Sequence, residues 1–311
     1  MRSDPHPTRL SVWTRRLALF AVALVIFAAV FHRIFGMPTA LALNLFGLSF
    51  ALAVVTLVMA AAAFFNIWQR GTTGVANILT GVVLAITILL WPLSILPSIR
   101  ALPQLNDIST DTENPPNFVA LKALRPKGAN GTAYPGVKSA KLQSQFYREL
   151  QPLVISRPPQ EVFELAGQAL RRLHMKTVGE MPVGAKGRTW GMIEAYDRTL
   201  VLGFYDDVVV RISALGRGSR VDVRSASRFG RHDLGRNAMR VRRVLNEIVA
   251  QAEASVPSLR SISARRSRQS ARAVRLKQPP RAGRSSGRNS RPYRPAKRGR
   301  ARRQQSSSPR R

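Results

Sequence analysis

Apolar residues dominate the first hundred positions and then thin abruptly into short periodic runs. Three stretches, 17–35 (LALFAVALVIFAAVFHRIF), 40–65 (ALALNLFGLSFALAVVTLVMAAAAFF) and 75–99 (VANILTGVVLAITILLWPLSILPSI), each approach or exceed the roughly 20 residues a helix needs to cross a hydrocarbon core. The second and third show almost no polar face, which the helix of a water-exposed domain would carry. The pattern predicts three transmembrane helices. The first stretch has a rival reading as a signal peptide, since Arg15 and Arg16 precede it and Ala40-Leu41-Ala42 resembles a small-residue cleavage site. His32 and Arg33 interrupt the long gap before that site, which favours a retained helix.

Basic residues in the short flanks set the expected orientation. Arg2, Arg9, Arg15 and Arg16 precede the first span, whereas Arg33 alone lies in the first loop and Arg70 in the second. The amino terminus (1–16) is expected inside, and three crossings place everything after Arg100 outside. Cleavage of the first segment would lead to the same place. The sequence thus predicts a multi-pass inner-membrane protein with its C-terminal domain on the periplasmic, extracytoplasmic side.

Past residue 100 the pattern changes twice. Residues 100–156, rich in Pro, Gly, Asn and Thr, with NPPNF and GANGTAYPG as turn chemistry, read as an extended connector wrapped on a domain. From 157 to 254 the spacing is that of a folded unit. Pro158 and Pro159 suit a helix first turn, and Val162, Ala166, Ala169, Leu170 and Leu173 follow at helical spacing. Four strand-like runs come next: MKTVGEM, TWGMIEAYDRT, DDVVVRIS and RVDVRSAS. Val208, Val210 and Ile212 share one face of the third run, and Val221 with Val223 one face of the fourth. A hairpin through ALGRGS would set Arg211 opposite Asp222. Finally Leu234, Ala238, Val241, Leu245, Ile248 and Ala252 form a helical stripe, with Arg236, Arg240 and Arg243 on the opposite, wet side and Glu247 four residues after Arg243. The fold class expected is therefore three N-terminal transmembrane α-helices, a small α+β domain (an antiparallel sheet with two helices on one face) and a disordered basic tail over 255–311.

Charge sharpens this division. Of the formal net charge of +33, nineteen Lys and Arg lie between 260 and 311, where no acid occurs, which leaves +14 on the rest. The tail reads as a solvated run or as a tether to anionic lipid headgroups or envelope polyanions. A nucleic-acid arm would need the cytoplasm, against the expected topology, and Tyr293 is the tail's single aromatic. The chain has no cysteine, so disulfides and thiolate metal sites are excluded. Nothing in the sequence fixes the oligomeric state.

The densest chemistry is SRFGRHDLGRNAMRVRR, residues 227–243. Asp233 falls where a helix N-cap is expected, with Gly230 and Gly235 easing the passage from strand to helix. Arg224, Arg228 and Asn237, with Arg240 further along, fit two readings. They could form a pocket with free helix N–H groups for phosphate or carboxylate. They could instead form an Arg–carboxylate lattice with Asp206 and Asp207 that ties strand ends together.

The segment VDVRSASRFGRHDLGRNAMRVRR, preceded by GFYDDVVVRI, NDISTDTENPPNF and the YREL and QPLVI pieces, resembles the domain of unknown function 1499 family of uncharacterised bacterial membrane or envelope proteins. The resemblance covers about residues 105 to 250. Its most specific part is the pattern formed by Ser227, Arg228, Gly230, Asp233, Gly235, Asn237 and Arg240. Many members carry a cysteine where this chain reads Pro116-Asn117-Phe118, so no cysteine chemistry is implied here. The resemblance brings a boundary and a surface to inspect, and no activity.

The sequence carries none of the common catalytic patterns. There is no G-x-x-x-x-G-K-[ST] loop, no G-x-G-x-x-G between strand and helix, and no H-E-x-x-H; His6, His32, His174 and His232 are scattered. Asp107 and Asp111 with Asp206 and Asp207 could bind a hard cation if the connector folds back. The leading expectation is a non-catalytic binding or structural domain without cofactor or metal. The alternative is an envelope hydrolase or metal-assisted enzyme built on Asp206, Asp207, His232 and Asp233.

Overall fold

A computed structural model describes residues 7–199 and 202–255; the expectations for the basic tail fall outside the described residues, apart from Ser255. The first hundred residues form α1 (Arg9–Ile34), α2 (Thr39–Arg70) and α3 (Val75–Ala101), each long and apolar enough to cross a membrane. Their mutual contacts use small side chains at three- and four-residue spacing. Buried positions include Ser11, Thr14, Ala18, Ala21 and Ala28 on α1, and Ala42, Ser49, Ala53, Thr56, Ala60 and Ala63 on α2, together with the larger His32 and Phe46. Large residues such as Phe20, Ile26, Val58, Phe64 and Leu79 face outward. That inverts a water-soluble bundle and is how helices pack when lipid solvates their outer faces. Buried hydroxyls are returned to their own helix, as in Ser49 Oγ to the Leu45 carbonyl and Thr56 Oγ1 to the Leu52 carbonyl, both 2.8 Å.

After α3 the chain enters the sheet at once. The strands are β1 (Asp107–Ser109), β2 (Leu153–Ile155), β3 (Lys176–Met181), β4 (Trp190–Arg198), β5 (Tyr205–Leu215) and β6 (Gly218–Ser227), all antiparallel, in the order β1-β6-β5-β4-β3, with β2 also pairing β6. The four expected strands are β3 to β6. Residues 100–156 add β1 and β2 and two short helices, α4 (Ala120–Leu124) and α5 (Val137–Phe146).

Helices α6 (Pro159–Arg172) and α7 (Arg236–Ala254) lie on one face, as the apolar spacing implied. Val208, Val210 and Ile212 of β5 and Val221 and Val223 of β6 meet Val162, Ala166 and Leu170 of α6 and Val241, Val244 and Ile248 of α7. The opposite face is covered in part by the 110–136 segment, where Phe118 and Leu121 pack on Met192, Val209 and Ala226. A strand covered on both sides has no solvent face, which is why β5 reads DDVVVRI rather than as a clean alternation.

The domain sits against the helices through the β4–β5 turn. Leu202 and Phe204 pack with Met37, Ala42 and Phe46. Arg33 donates to the Thr199 carbonyl at 2.9 Å, and Arg198 donates back to the Arg33 carbonyl at 2.6 Å. The β5–β6 hairpin, at the far end of the same strands, is the end remote from the helices.

Candidate functional site: the charged corner between β6 and α7

Pleating sends adjacent residues of β5 and β6 to opposite sides, and this splits the charged groups into two clusters. On the covered face, Arg224 is fully buried, at 0% exposure. Its Nε and Nη2 reach the two carboxylate oxygens of Asp107 at 2.9 and 2.7 Å, while Nη1 donates to the Pro116 carbonyl at 2.8 Å and Nη2 also to the Thr132 carbonyl at 2.9 Å. Phe118 and Tyr134 flank the guanidinium, with ring centroids 4.6 and 5.5 Å from its carbon. Alongside, Asp207 receives two arginines: Arg228 Nε at 2.8 Å on one oxygen and Arg125 Nε at 2.7 Å on the other. Arg125 goes on to the Asn130 and Gly131 carbonyls at 2.8 and 2.7 Å.

On the helix face, Asp206 accepts from Arg240 Nη2 at 2.7 Å, and Asp197 of β4 from Arg240 Nε at 2.9 Å. Arg240 Nη1 reaches Asn237 Oδ1 at 2.8 Å, and the same oxygen takes the Ser225 hydroxyl at 2.8 Å. Asn237 Nδ2 donates to the Asn106 carbonyl at 2.9 Å and to Ser227 Oγ at 3.0 Å. Both ends of this buried amide are therefore satisfied.

These contacts correct three readings of the sequence. Arg240 is 4% exposed rather than on a wet face. The buried side of α7 takes in Ala238, Val241, Ile248 and Ala252 of the expected stripe and widens to include Asn237, Arg240, Val244 and Gln251, with Arg240 one turn before Val244. Arg224 is held by Asp107 and not by Asp206 or Asp207, because β1 crosses β6 with Asp107 opposite Ala226. Glu247 meets Arg172 at 3.8 Å and accepts from Gln251, while Arg243 turns to Met239. The Arg211–Asp222 pairing forms as expected, in register across the hairpin and bonded at 2.9 Å.

Asp233 accepts the amides of Gly235 at 2.8 Å and of Asn237 at 2.9 Å, so it serves the start of α7 from two residues further out than a regular N-cap. Leu234 and Gly235 between them both have positive φ, 56° and 75°. Gly235 also lets Leu102 approach: a Cβ there would lie 3.2 Å from Leu102 Cδ1. The Leu234 amide donates to His232 Nδ1 at 3.0 Å, which leaves the ring hydrogen on Nε2 to reach the Leu102 carbonyl at 3.2 Å. The Asp233 amide donates to the Leu105 carbonyl at 2.9 Å, and Asn106 Nδ2 to the Gly230 carbonyl at 2.8 Å. The corner thus grips residues 102–106, where the chain leaves α3. Burial pushes the Asp233 carboxyl up and Asp206 adds to this, against the lowering pull of the two amides. Burial likewise pushes Asp107 up against Arg224, and raises the Tyr134 phenol to about 12 with help from Asp107.

Asp206, Asp207, His232 and Asp233 do not converge, since Asp206 and Asp207 face opposite sides of the sheet. Asp107 and Asp111 are each taken by arginines. Among the described residues no group of three or more histidines and carboxylates is placed to hold a metal ion. Glu194 was not singled out by the sequence. It is buried on the covered face, and its two oxygens accept the amides of Val119, Ala120 and Leu121 at 2.9 to 3.0 Å. Arg125 and Asp197 were missed as well.

Fold and corner together define a class: an apolar three-helix bundle carrying an antiparallel α+β domain whose buried charges are spent on internal bridges. Residues 107–248 match the family model described as "Protein of unknown function (DUF1499)", and this domain belongs to that family. No curated protein and no solved structure matches the chain.

Proposed function

We propose that the protein is a multi-pass inner-membrane protein that holds a non-catalytic α+β domain at the extracytoplasmic face, with the β6–α7 corner acting as a brace between the exit of α3, the sheet and α7. One observation carries the brace reading: four donor contacts of Arg224 end on Asp107, Pro116 and Thr132, and those of Arg228 and Arg240 end on protein oxygens too. Arg125 Nη2 and Arg228 Nη2, beside Asp207, are buried without a hydrogen-bond partner among the described residues; at Arg224 and Arg240 an anion would have to displace a buried carboxylate to enter. The orientation is supported by Arg9, Arg15 and Arg16 in the first turns of α1 set against the lone Arg33 in its last turn. On this side of the membrane the basic tail serves as a tether to anionic headgroups or envelope polyanions.

Reporter fusions after Arg100 and after Ser255 test the placement. Extracytoplasmic reporter activity is expected at both points. Cytoplasmic activity at both would overturn the orientation and return nucleic acid to consideration for the tail.

A further inference from the structure

A cleft of about 570 Å³ opens on the covered face of the sheet, near the β5–β6 hairpin and away from the helices. Its size is that of a small-molecule site. We propose that it binds a short neutral saccharide, using the Trp190 indole as a platform.

The walls decide the ligand class. One wall is a closed quartet in which Arg211 and Arg220 each bond to both Asp111 and Asp222, at 2.9 to 3.2 Å. Two positive and two negative charges cancel, so the cleft offers an anion or a cation no net attraction, and either would have to break a doubly bridged pair to bind. The quartet also excludes a purely apolar guest, which would strip water from its exposed edge without replacing hydrogen bonds. Trp190 and Met192 of β4 continue the same sheet surface beside the quartet, paired with Ser213 and Arg211 of β5, with the Arg188 guanidinium carbon 5.3 Å from the indole centroid.

Asn114 and Asn117, both exposed, rim the cleft, and Ser213 lies on the sheet between Trp190 and Arg220. Their side chains carry donors and acceptors that make no hydrogen bond within the described protein, while those of the quartet are engaged. A sugar ring matches this division. Its C–H face covers an aromatic ring, and its rim of hydroxyls can both donate and accept, as amides and a hydroxyl require. The cleft shares Pro116 with the charged corner but none of the corner's charged groups, so this inference stands or falls independently of the brace.

The test uses the full chain in lipid nanodiscs, free of glycoside detergent, with cellobiose and N,N'-diacetylchitobiose as probes and inorganic phosphate and alanyl-alanine as comparisons. Saturation-transfer NMR and calorimetry should show saturable binding of at least one disaccharide and of neither comparison. Trp190→Ala should weaken it about tenfold, the size of one lost ring contact. Ser213→Gln fills the cleft opposite Trp190 without removing a core group, and should abolish binding while melting stays normal; it keeps the test decisive if Trp190→Ala fails to fold. Arg236→Gln, outside the cleft, should change nothing. Absence of signal from both disaccharides, equal binding of phosphate or dipeptide, or wild-type binding by folded Ser213→Gln would each overturn the proposal.

Discussion

Replacing Arg224 with methionine keeps an unbranched, apolar chain between Phe118 and Tyr134 but leaves the Asp107 carboxylate buried without its partner. Removing one member of a buried pair costs about 3–5 kcal/mol, of a total that for a domain is only about 5–15 kcal/mol. The carbonyls of Pro116 and Thr132 lose a donor as well. Protonation of Asp107, already favoured by burial, relieves part of the penalty at low pH. Raising the pH through its elevated pKa withdraws that relief, so the variant should be weakest near neutrality. Hydrogen exchange of β5 and β6 amides in the full chain reads this directly, because core strands open only with the domain. Protection should fall by roughly two to three and a half powers of ten, at about 1.4 kcal/mol per power of ten. Adding Asp107→Leu should restore much of it, since a buried pair exchanged for apolar residues is often near neutral. A fall of less than about tenfold for Arg224→Met alone, or no recovery in the double variant, would refute the reasoning.

Other consequences follow from the same contacts. The Tyr134 phenol ionises near 10 when unfolded and near 12 when folded, so its contribution is complete below pH 10 and is lost as pH rises through 12; Tyr134→Phe should flatten the alkaline limb of an unfolding curve, and an unchanged limb would contradict the assignment. Glu194→Gln retains one acceptor oxygen for the amides of Val119, Ala120 and Leu121, and should cost about 1–3 kcal/mol, read as faster exchange at those three amides. Gly235→Ala places a methyl group against Leu102 at a φ of 75°. It should destabilise by about 1–2 kcal/mol, measured by thermal unfolding.

Local features were legible in the sequence because they depend on short-range spacing. The Arg211–Asp222 pair could be placed since a short loop fixes the register of β5 against β6. Asp233, Gly230 and Gly235 announced a strand-to-helix passage for similar reasons. What stayed hidden depends on which parts of the chain cover which face. Asp107 and Arg224 are 117 residues apart and meet only because the 107–136 segment returns across β6. Glu194 drew no attention because its partners sit in a stretch that reads as turn and linker. Arg240 was taken for a surface charge because charge was equated with exposure. The doubled acid at Asp206 and Asp207 was the available clue, since two adjacent carboxylates in a strand covered on both sides require a cation on each.

The central claim, that the corner is a brace rather than an anion site, is tested most directly by the melting temperature of the full chain with and without phosphate or glycerophosphate. A ligand that binds only the folded state must raise it. The account predicts the same temperature in both conditions, and a steep drop for Arg228→Lys, which keeps the charge but loses the planar donor pair facing Asp207. A phosphate-dependent rise in the wild type that vanishes in a normally folded Arg228→Lys would contradict it and make the corner a binding site.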